Sequence, residues 1–194
     1  MFYYLARFIC RVILVLKRWE VRGEANLPMS GGLVLVANHT SYWDPVVVGC
    51  AINRRVNFMA KAELFDNQLL NPVIRALGTF PVRRGGTDRA AIRKALALLE
   101  EGQIVGVFPE GTRSQNGELQ KPHLGAAMLA LKTGVPILPV AIRVAKGHFI
   151  KINIGKPIIY PATVRASRAE LEKASNMIMS QIAALLKENK RNYF

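Results

Sequence analysis

The segment ANHTSYWDP, residues 37–45, places a histidine and an aspartate five positions apart, directly after an apolar run. Imidazole is suited to taking a proton from an alcohol near neutral pH, and it works better when a carboxylate orients it. His39 and Asp44 are therefore a candidate catalytic pair. The residues alone also allow a structural role, with Asp44 capping a helix that begins at Pro45. The two roles are compatible, because a capped aspartate is held rigidly.

A second candidate segment, FPEGTRS at residues 108–114, joins an acid, a glycine and an arginine after another apolar run. Arginine binds phosphate through two parallel hydrogen bonds, and glycine lets the backbone approach a ligand closely. Arg113 is thus a candidate phosphate ligand, and Glu110 could accept a hydrogen bond from a sugar or glycerol hydroxyl. The alternative is a surface turn in which Glu110 contacts Arg113.

A third segment, FPVRRGG at residues 80–86, adds two arginines. Arg83 or Arg84 could bind a phosphate, and the alternative is solvated charge at the end of a strand. A GxxxxGK[ST] loop is missing from the sequence, so a nucleoside triphosphate is not the expected anion. A hydrolase would need a nucleophile, but Ser41 lacks the GxSxG elbow and Cys50 lies in an apolar run. The cysteine and histidine spacings predict no metal site.

Apolar segments of two kinds alternate along the chain and must position these loops. Strands are predicted at 33–37, from 57, from 103, at 135–144 and at 149–154, with a further extended stretch at 79–86. Helices are predicted at 45–53, 71–78, 87–102, 124–134 and 167–190. This alternation predicts an α/β fold with a largely parallel mixed sheet flanked by helices. Ligands of such sheets gather at the carboxyl ends of the strands, where all three candidate segments lie.

The composition predicts one globular domain with a polyanionic partner. The chain has 194 residues, 51% of them hydrophobic, a formal net charge of +14 and a pI near 10.3. Nucleic acid, an anionic membrane surface and an acidic carrier protein all fit such a charge. Nucleic acid is the less favoured partner, because the sequence contains no nucleic-acid-binding module and no aromatic residues interleaved with its basic ones. Two cysteines outside any CxxC pattern favour a reducing, cytosol-facing compartment.

The N-terminal segment predicts an amphipathic helix over residues 2–18 that lies in a membrane interface. Arg7 and Arg11 interrupt its apolar residues, so the segment lacks the about 20 consecutive, mostly apolar residues that a transmembrane helix needs. The alternative is a helix packed on the protein's own core with solvated arginines. We therefore predict a membrane-associated segment at 1–25, a catalytic domain with a C-terminal amphipathic helix at 26–194, and a peripheral or monotopic protein at the cytoplasmic face of the cell membrane.

Together these segments resemble the glycerolipid acyltransferase family, which carries four ordered blocks. They are matched here, in order over residues 38–140, by NHTSYWD, by Lys61 through GTFPVRR, by FPEGTRS and by VPILPV. One block alone would be weak, but the ordered set is highly specific. The sequence departs from the family at His123, where members often have a lysine, and at Pro81 and Arg83, where many have an aliphatic residue and an acid.

The resemblance implies transfer of an acyl group from acyl-CoA or acyl-carrier protein to the free hydroxyl of lysophosphatidic acid, without an acyl-enzyme or a further cofactor. It implies that His39 is the general base and that Asp44 orients it. Another lysolipid, for example lyso-ornithine lipid, is the alternative acceptor. The resemblance implies that Arg84 and Arg113 bind the acceptor phosphate, that Lys61 assists them and that Glu110 positions the glycerol. The implied substrate-binding residues are Lys61, Arg84, Glu110, Gly111, Thr112 and Arg113.

Overall fold

The computed structural model describes residues 2–83, 86, 88–144 and 149–191 of the chain. Strands and helices alternate along it, and two short 3-10 turns lie at Glu24–Asn26 and Ala62–Phe65. The strands are β1 (Trp19–Arg22), β2 (Leu33–Ala37), β3 (Val56–Lys61), β4 (Phe80–Val82), β5 (Ile104–Val107), β6 (Ile137–Val144) and β7 (Ile150–Ile154). The helices are α1 (Phe2–Leu16), α2 (Asp44–Ala51), α3 (Leu70–Ala76), α4 (Arg89–Glu100), α5 (Gly125–Thr133) and α6 (Arg168–Arg191).

The described strands form one mixed sheet in the order β1-β7-β6-β2-β5-β3-β4. Strands β6, β2, β5, β3 and β4 are parallel, β7 pairs antiparallel with β6, and β1 pairs parallel with β7. The predicted α/β class with a largely parallel mixed sheet is confirmed. Strand β2 lies between β5 and β6, so the loop that follows it emerges at the centre of the sheet.

Helices cover both faces of the sheet, which explains why β2 is apolar at every position. Val34 and Val36 point to one face and pack with α4, α5 and α6. Leu33, Leu35 and Ala37 point to the other face and pack with α1 and α2. All five side chains of β2 are buried. The core therefore holds the carboxyl end of β2 from both sides.

Most predicted elements form where the periodicity placed them, and the exceptions have physical causes. Strand β1 was not predicted, because its four residues include two charged ones and lie at the sheet edge. The helical spacing of the large apolar residues in α4 predicts Ile92, Leu96 and Leu99 on one buried side, but only Leu99 of these is buried. The helix instead buries Ala91, Ala95, Leu98 and Leu99, because small side chains let it pack closely against the neighbouring elements.

The sequence predicts two helix starts, with Thr87 or Asp88 as the cap of α4 and with Ser167 and Glu170 as a capping box before α6. Asp88 caps α4 by accepting hydrogen bonds from the Ala90 and Ala91 N–H groups, and the alternative cap, Thr87, lies outside the described residues. A hydrogen bond from the Arg83 N–H, together with these two, holds the pKa of Asp88 below its usual value. Ser167 and Glu170 form the predicted capping box before α6, with Glu170 accepting from the Ser167 N–H at 2.7 Å.

Helix α1 packs on α2 with its arginines against the protein and most of its apolar side chains outward. The Arg7 guanidinium donates to Cys50 O and Asn53 Oδ1, and Arg11 lies over the Trp19 ring. Arg7 is half-buried and Arg11 is exposed, and contact of these two arginines with lipid headgroups stays a prediction. None of the described helices is both long and apolar enough to cross a membrane. The exposed apolar side chains of α1 are Phe2, Tyr4, Leu5, Phe8, Ile9, Val12, Ile13, Val15 and Leu16.

Candidate active site

Two loops that follow adjacent parallel strands meet at the carboxyl edge of the sheet. His39 lies two residues after β2, and Glu110 lies three residues after β5. The His39 N–H donates to Glu110 Oε1 at 2.9 Å, and the Ser114 N–H donates to the His39 carbonyl at 2.8 Å. The main chain of His39 is thus held on both sides by the loop after β5.

The side chain of His39 is paired with Asp44 as predicted. Its Nδ1 lies 2.9 Å from Asp44 Oδ2, and the same oxygen accepts hydrogen bonds from the Thr40 and Ser41 N–H groups at 2.6 and 2.7 Å. Asp44 is 1% exposed, whereas 16% of the His39 side chain remains exposed. The carboxylate holds one ring nitrogen, and the other ring nitrogen can face a substrate.

The prediction that Asp44 caps helix α2 is wrong. Asp44 is the first residue of α2, Trp43 occupies the capping position, and no side-chain hydrogen bond caps this helix. The Asp44 carboxylate turns backward to His39, Thr40 and Ser41 instead of forward to the helix. It therefore orders the loop rather than the helix.

Aromatic stacking fixes the plane of the His39 ring. The ring stacks on Phe108 with centroids 4.2 Å apart and planes 21° apart, and Phe108 stacks on Phe58 at 5.6 Å and 10°. The Phe58 ring lies across β5 at Gly106, where an added Cβ would sit 2.5 Å from ring carbons. A side chain at Gly106 would therefore displace the stack beneath His39.

Glu110 joins two stretches of main chain. It is 3% exposed, and while one carboxylate oxygen accepts from His39, the other accepts from the Gln120 N–H at 3.0 Å. These bonds tie the main chain of His39 and the main chain at Gln120, within the loop 108–124, to one carboxylate. The expected contact of Glu110 with a glycerol hydroxyl stays a prediction.

The next residues of the block shape the mouth of the site. Gly111 has φ +67, and a Cβ there would lie 2.6 Å from His123 Cδ2, so the position requires glycine on two counts. Thr112 is exposed. The Arg113 guanidinium carbon lies 3.4 Å from the centroid of the Tyr42 ring. Arg113 is thus directed to the loop that carries His39, and the alternative contact with Glu110 is replaced by this stack.

The remaining predicted phosphate ligands lie on strands farther from β2. Lys61 ends β3, two strands from β2, and its Nζ lies 3.1 Å from Glu63 Oε1. Arg83 follows β4 and is exposed. Arg84 lies outside the described residues. The structure therefore brings His39, Asp44, Glu110, Gly111 and Arg113 together, while Lys61 stands at the neighbouring part of the same edge.

Sequence reasoning missed three residues that build the site. Asn38, 3% exposed, exchanges hydrogen bonds with the Ile142 main chain at 2.8 and 2.9 Å and so ties the end of β2 to β6. Phe108 and Tyr42 stack on His39 and Arg113. A buried amide at the end of an apolar strand is a signal for the first of these. The two aromatic contacts have no signal in the spacing of the residues.

An apolar cavity of about 100 Å³ lies between α1 and α2, and its walls include Phe58 of the aromatic stack. Cys50 also lines it, and burial raises the pKa of that thiol to about 11, so the thiol is not an activated nucleophile. Cys50 is 2% exposed, as the apolar run predicted. In the described part of the chain, no three His, Cys, Asp or Glu side chains are grouped to hold a metal ion. The other lining residues are Tyr3, Ala6, Arg7, Cys10, Pro45, Val46, Gly49, Val56, Leu77 and Thr79.

Comparison with known proteins agrees with this geometry. The sequence profile described as Acyltransferase matches residues 18–143. A 1-acyl-sn-glycerol-3-phosphate acyltransferase of Bacillus subtilis is 32% identical over 148 residues, which cover 72% of this chain and 73% of the relative. A lyso-ornithine lipid O-acyltransferase of Pseudomonas aeruginosa is 34% identical over 125 residues, or 64% of this chain and 47% of that protein.

A solved structure shares the fold. The crystal structure of the 1-acyl-sn-glycerophosphate acyltransferase PlsC from Thermotoga maritima superposes with a TM-score of 0.78 and 27% identity, covering 99% of this chain and 81% of that one. The chain belongs to the acyltransferase family. It is an enzyme of the O-acyltransferase class.

Proposed function

We propose that the protein transfers an acyl group from acyl-CoA or acyl-carrier protein to lysophosphatidic acid, which yields phosphatidic acid for phospholipid synthesis. The observation that carries this proposal is the 2.9 Å contact of His39 Nδ1 with the buried Asp44 carboxylate. The names of the Bacillus and Thermotoga relatives support lysophosphatidic acid as the acceptor.

His39 acts as the general base. Asp44 Oδ2 accepts hydrogen bonds from two main-chain N–H groups and so acts as an acceptor toward His39 as well. The neutral imidazole must then donate from Nδ1, which leaves the lone pair on Nε2. Nε2 takes the proton of the acceptor hydroxyl while that oxygen bonds to the thioester carbonyl carbon. The C–S bond then breaks, and the leaving thiolate takes the proton from Nε2. Asp44 stabilises the imidazolium between these steps.

The acceptor phosphate binds near Arg113. A guanidinium offers a fork of N–H donors that matches two phosphate oxygens. Arg84 and Lys61 would add positive charge from the neighbouring strands, and Glu110 would place the glycerol. No divalent ion or further cofactor takes part in this scheme, since the acyl thioester brings its own leaving group.

The acyl chain has an apolar surface to occupy. The cavity between α1 and α2 is lined mostly by apolar side chains, with Arg7 and Thr79 also in its wall, and it shares Phe58 with the stack beneath His39. Burial of chain methylenes there would stabilise the bound substrate by about 0.8 kcal/mol per CH₂ group. This cavity therefore supports an acyl substrate over a polar one.

We place the protein at the cytoplasmic face of the membrane as a peripheral or monotopic enzyme. The exposed apolar side chains of α1 would enter the interface, where its lysolipid substrate resides. The net charge of +14 would serve anionic lipid and substrate phosphates rather than nucleic acid.

The test is acyl transfer by the purified protein on anionic vesicles that contain lysophosphatidic acid. Palmitoyl and oleoyl thioesters of CoA and of carrier protein are offered as donors. His39→Gln should lower the rate of phosphatidic acid formation by a factor of about 10² to 10⁴, because the base is lost. The melting temperature is measured beside the rate, because the substitution also removes the ring that stacks on Phe108 and pairs with Asp44. A rate within about tenfold of wild type would remove His39 as the base. The comparison of donors identifies the thioester.

A second acceptor has a specific observation in its favour. The relative named lyso-ornithine lipid O-acyltransferase is 34% identical to the matched part of the chain. Lyso-ornithine lipid carries no phosphate, so Arg113→Ala should weaken the use of lysophosphatidic acid more than the acylation of lyso-ornithine lipid. Formation of ornithine lipid and no phosphatidic acid by wild-type protein would select this alternative.

A further inference from the structure

The side chain of Arg113 stacks on the ring of Tyr42, a contact that the sequence motifs do not predict. The guanidinium carbon lies 3.4 Å from the ring centroid, which is within van der Waals contact of the ring face. An aromatic ring that covers the face of a guanidinium leaves its N–H edges open. In the described part of the chain, no carboxylate forms an ion pair with Arg113.

Tyr42 is itself held in place by the loop that carries His39. The main chain before it is fixed by Asp44 Oδ2, which accepts from the Thr40 and Ser41 N–H groups. The main chain after it is fixed by the Trp43 N–H, which donates to Ser41 Oγ at 3.2 Å, and by the Asp44 N–H, which donates to the Ser41 carbonyl at 3.2 Å. One buried carboxylate therefore orders both the base and the ring beneath Arg113.

We propose that Tyr42 is a positioning residue that holds the Arg113 guanidinium edge-on toward the acceptor and so selects lysolipids with a phosphate monoester. The inference rests on the proposed function. An arginine on a mobile side chain would lose rotamer entropy when it binds phosphate, and the stack removes part of that cost beforehand. The fixed loop also sets the distance between the bound phosphate and the hydroxyl that His39 deprotonates. This follows because His39 and Tyr42, which positions Arg113, both lie in residues 39–44.

The exposure of Tyr42 allows a different role, which the test must separate. Tyr42 is 72% exposed and Trp43 is 65% exposed, and aromatic side chains of this kind also settle at membrane interfaces. If Tyr42 served only as a membrane contact, its removal would weaken vesicle binding and would act equally with and without Arg113.

The experiment is a double-mutant cycle on the full chain with Tyr42→Leu, Arg113→Ala and the combined variant. We expect Tyr42→Leu to raise the KM for lysophosphatidic acid by about three- to tenfold at unchanged kcat, since a partly exposed cation–π contact is of that strength. Tyr42→Phe keeps the ring and should retain the wild-type KM. In the Arg113→Ala background Tyr42→Leu should have no further effect. An undiminished effect there, or an unchanged KM in Tyr42→Leu, overturns the proposal.

Two measurements keep this test separate from the proposed reaction. The ring of Tyr42 should shift the NMR signal of the Arg113 Nε–H, and the shift should vanish in Tyr42→Leu but not in Tyr42→Phe. Titration with glycerol 3-phosphate, a soluble phosphate monoester, should give a weaker affinity for Tyr42→Leu than for wild type. Equal affinities overturn the inference even if the enzyme prefers another lysolipid. If wild type forms no phosphatidic acid but binds glycerol 3-phosphate more tightly than Tyr42→Leu does, the inference stands and only the proposed acceptor is removed.

Discussion

At the scale of single residues, the chemistry of His39 depends on which of its ring nitrogens is held. The contact with Asp44 holds Nδ1, the stack on Phe108 sets the ring plane, and the Glu110 carboxylate fixes the main chain. Position, tautomer and orientation are thus set by three different contacts. Each can be removed on its own, so their contributions can be measured separately.

Asp44→Asn isolates the charge of the pair. The amide oxygen can still accept from the Thr40 and Ser41 N–H groups, so the loop should persist, but no carboxylate remains to stabilise the imidazolium. We expect kcat to fall by a factor of about 10² to 10⁴ with a smaller change in the acceptor KM. The rate should be measured under single-turnover conditions beside the melting temperature.

Asp44→Ala is the matched control for that prediction. It removes the acceptor as well as the charge, so the two part-buried N–H groups of Thr40 and Ser41 lose their partner, and the free energy of unfolding should fall by about 1–3 kcal/mol. If Asp44→Asn kept kcat within about tenfold of wild type, Asp44 would be a loop-ordering residue without a role in the chemistry.

The residue types of the site could be predicted from the sequence, but their partners could not. The spacing of His39 and Asp44 predicted their contact, and the structure has it. The capping role of Asp44 was a wrong prediction, because a helix start has the same residue pattern whether the carboxylate turns forward or backward. The stack of Arg113 on Tyr42 joins residues 71 positions apart, by their numbers in the sequence. Only the tertiary structure determines such a pair.

At the scale of elements, the loop 108–124 is held in its conformation by main-chain hydrogen bonds and by the glycine at position 111. It begins at the end of β5 and closes where the His123 N–H donates to the Pro109 carbonyl at 2.8 Å. Gly111 lies under the His123 ring with φ +67. The loop therefore requires both a positive φ and free space at the same residue.

Gly111→Ala separates these two requirements. The left-handed conformation costs a residue with a Cβ about 1–2 kcal/mol, and the clash with His123 adds to that cost. We expect a lower melting temperature and a lower kcat, because Glu110 and Arg113 on either side would move. Adding His123→Ala should remove the clash and recover part of the stability. Full recovery would mean that the φ angle carries no cost, and no recovery would mean that the His123 ring moves aside.

The alternation of strands and helices was enough to predict the layers of the fold, because each element shows its apolar periodicity within its own short segment of sequence. It was not enough for β1, which pairs with β7 about 130 residues later in the chain, from Trp19 to Ile150. The sequence of β1 carries two charges in four residues, and only its partner strand makes it part of the sheet.

At the scale of the whole molecule, two surface properties coincide. The chain carries a net charge of +14, and α1 exposes a row of large apolar side chains on the side away from α2. Apolar side chains in such number on one helix mark a surface that meets another phase or partner. Arg7 and Arg11 contact Asn53 and Trp19, and most of the exposed side chains of α1 are apolar, which favours insertion of this side into the interfacial region of a bilayer.

Phe8→Asp tests whether this surface binds membranes. Phe8 is 67% exposed, so the substitution should leave the fold intact, but it places a charge where the helix would enter the interface. We expect cosedimentation with anionic vesicles to fall at least about tenfold, since burial of a phenylalanine contributes roughly 1.5–3 kcal/mol. Val164→Asp is the matched control, because Val164 is 95% exposed and lies in the segment before α6. Equal losses in both variants would mean that charge alone governs binding. Unchanged binding in Phe8→Asp would assign the apolar side of α1 to another partner, and the membrane contact would then have to come from the basic surface, with a steep decline as salt is added.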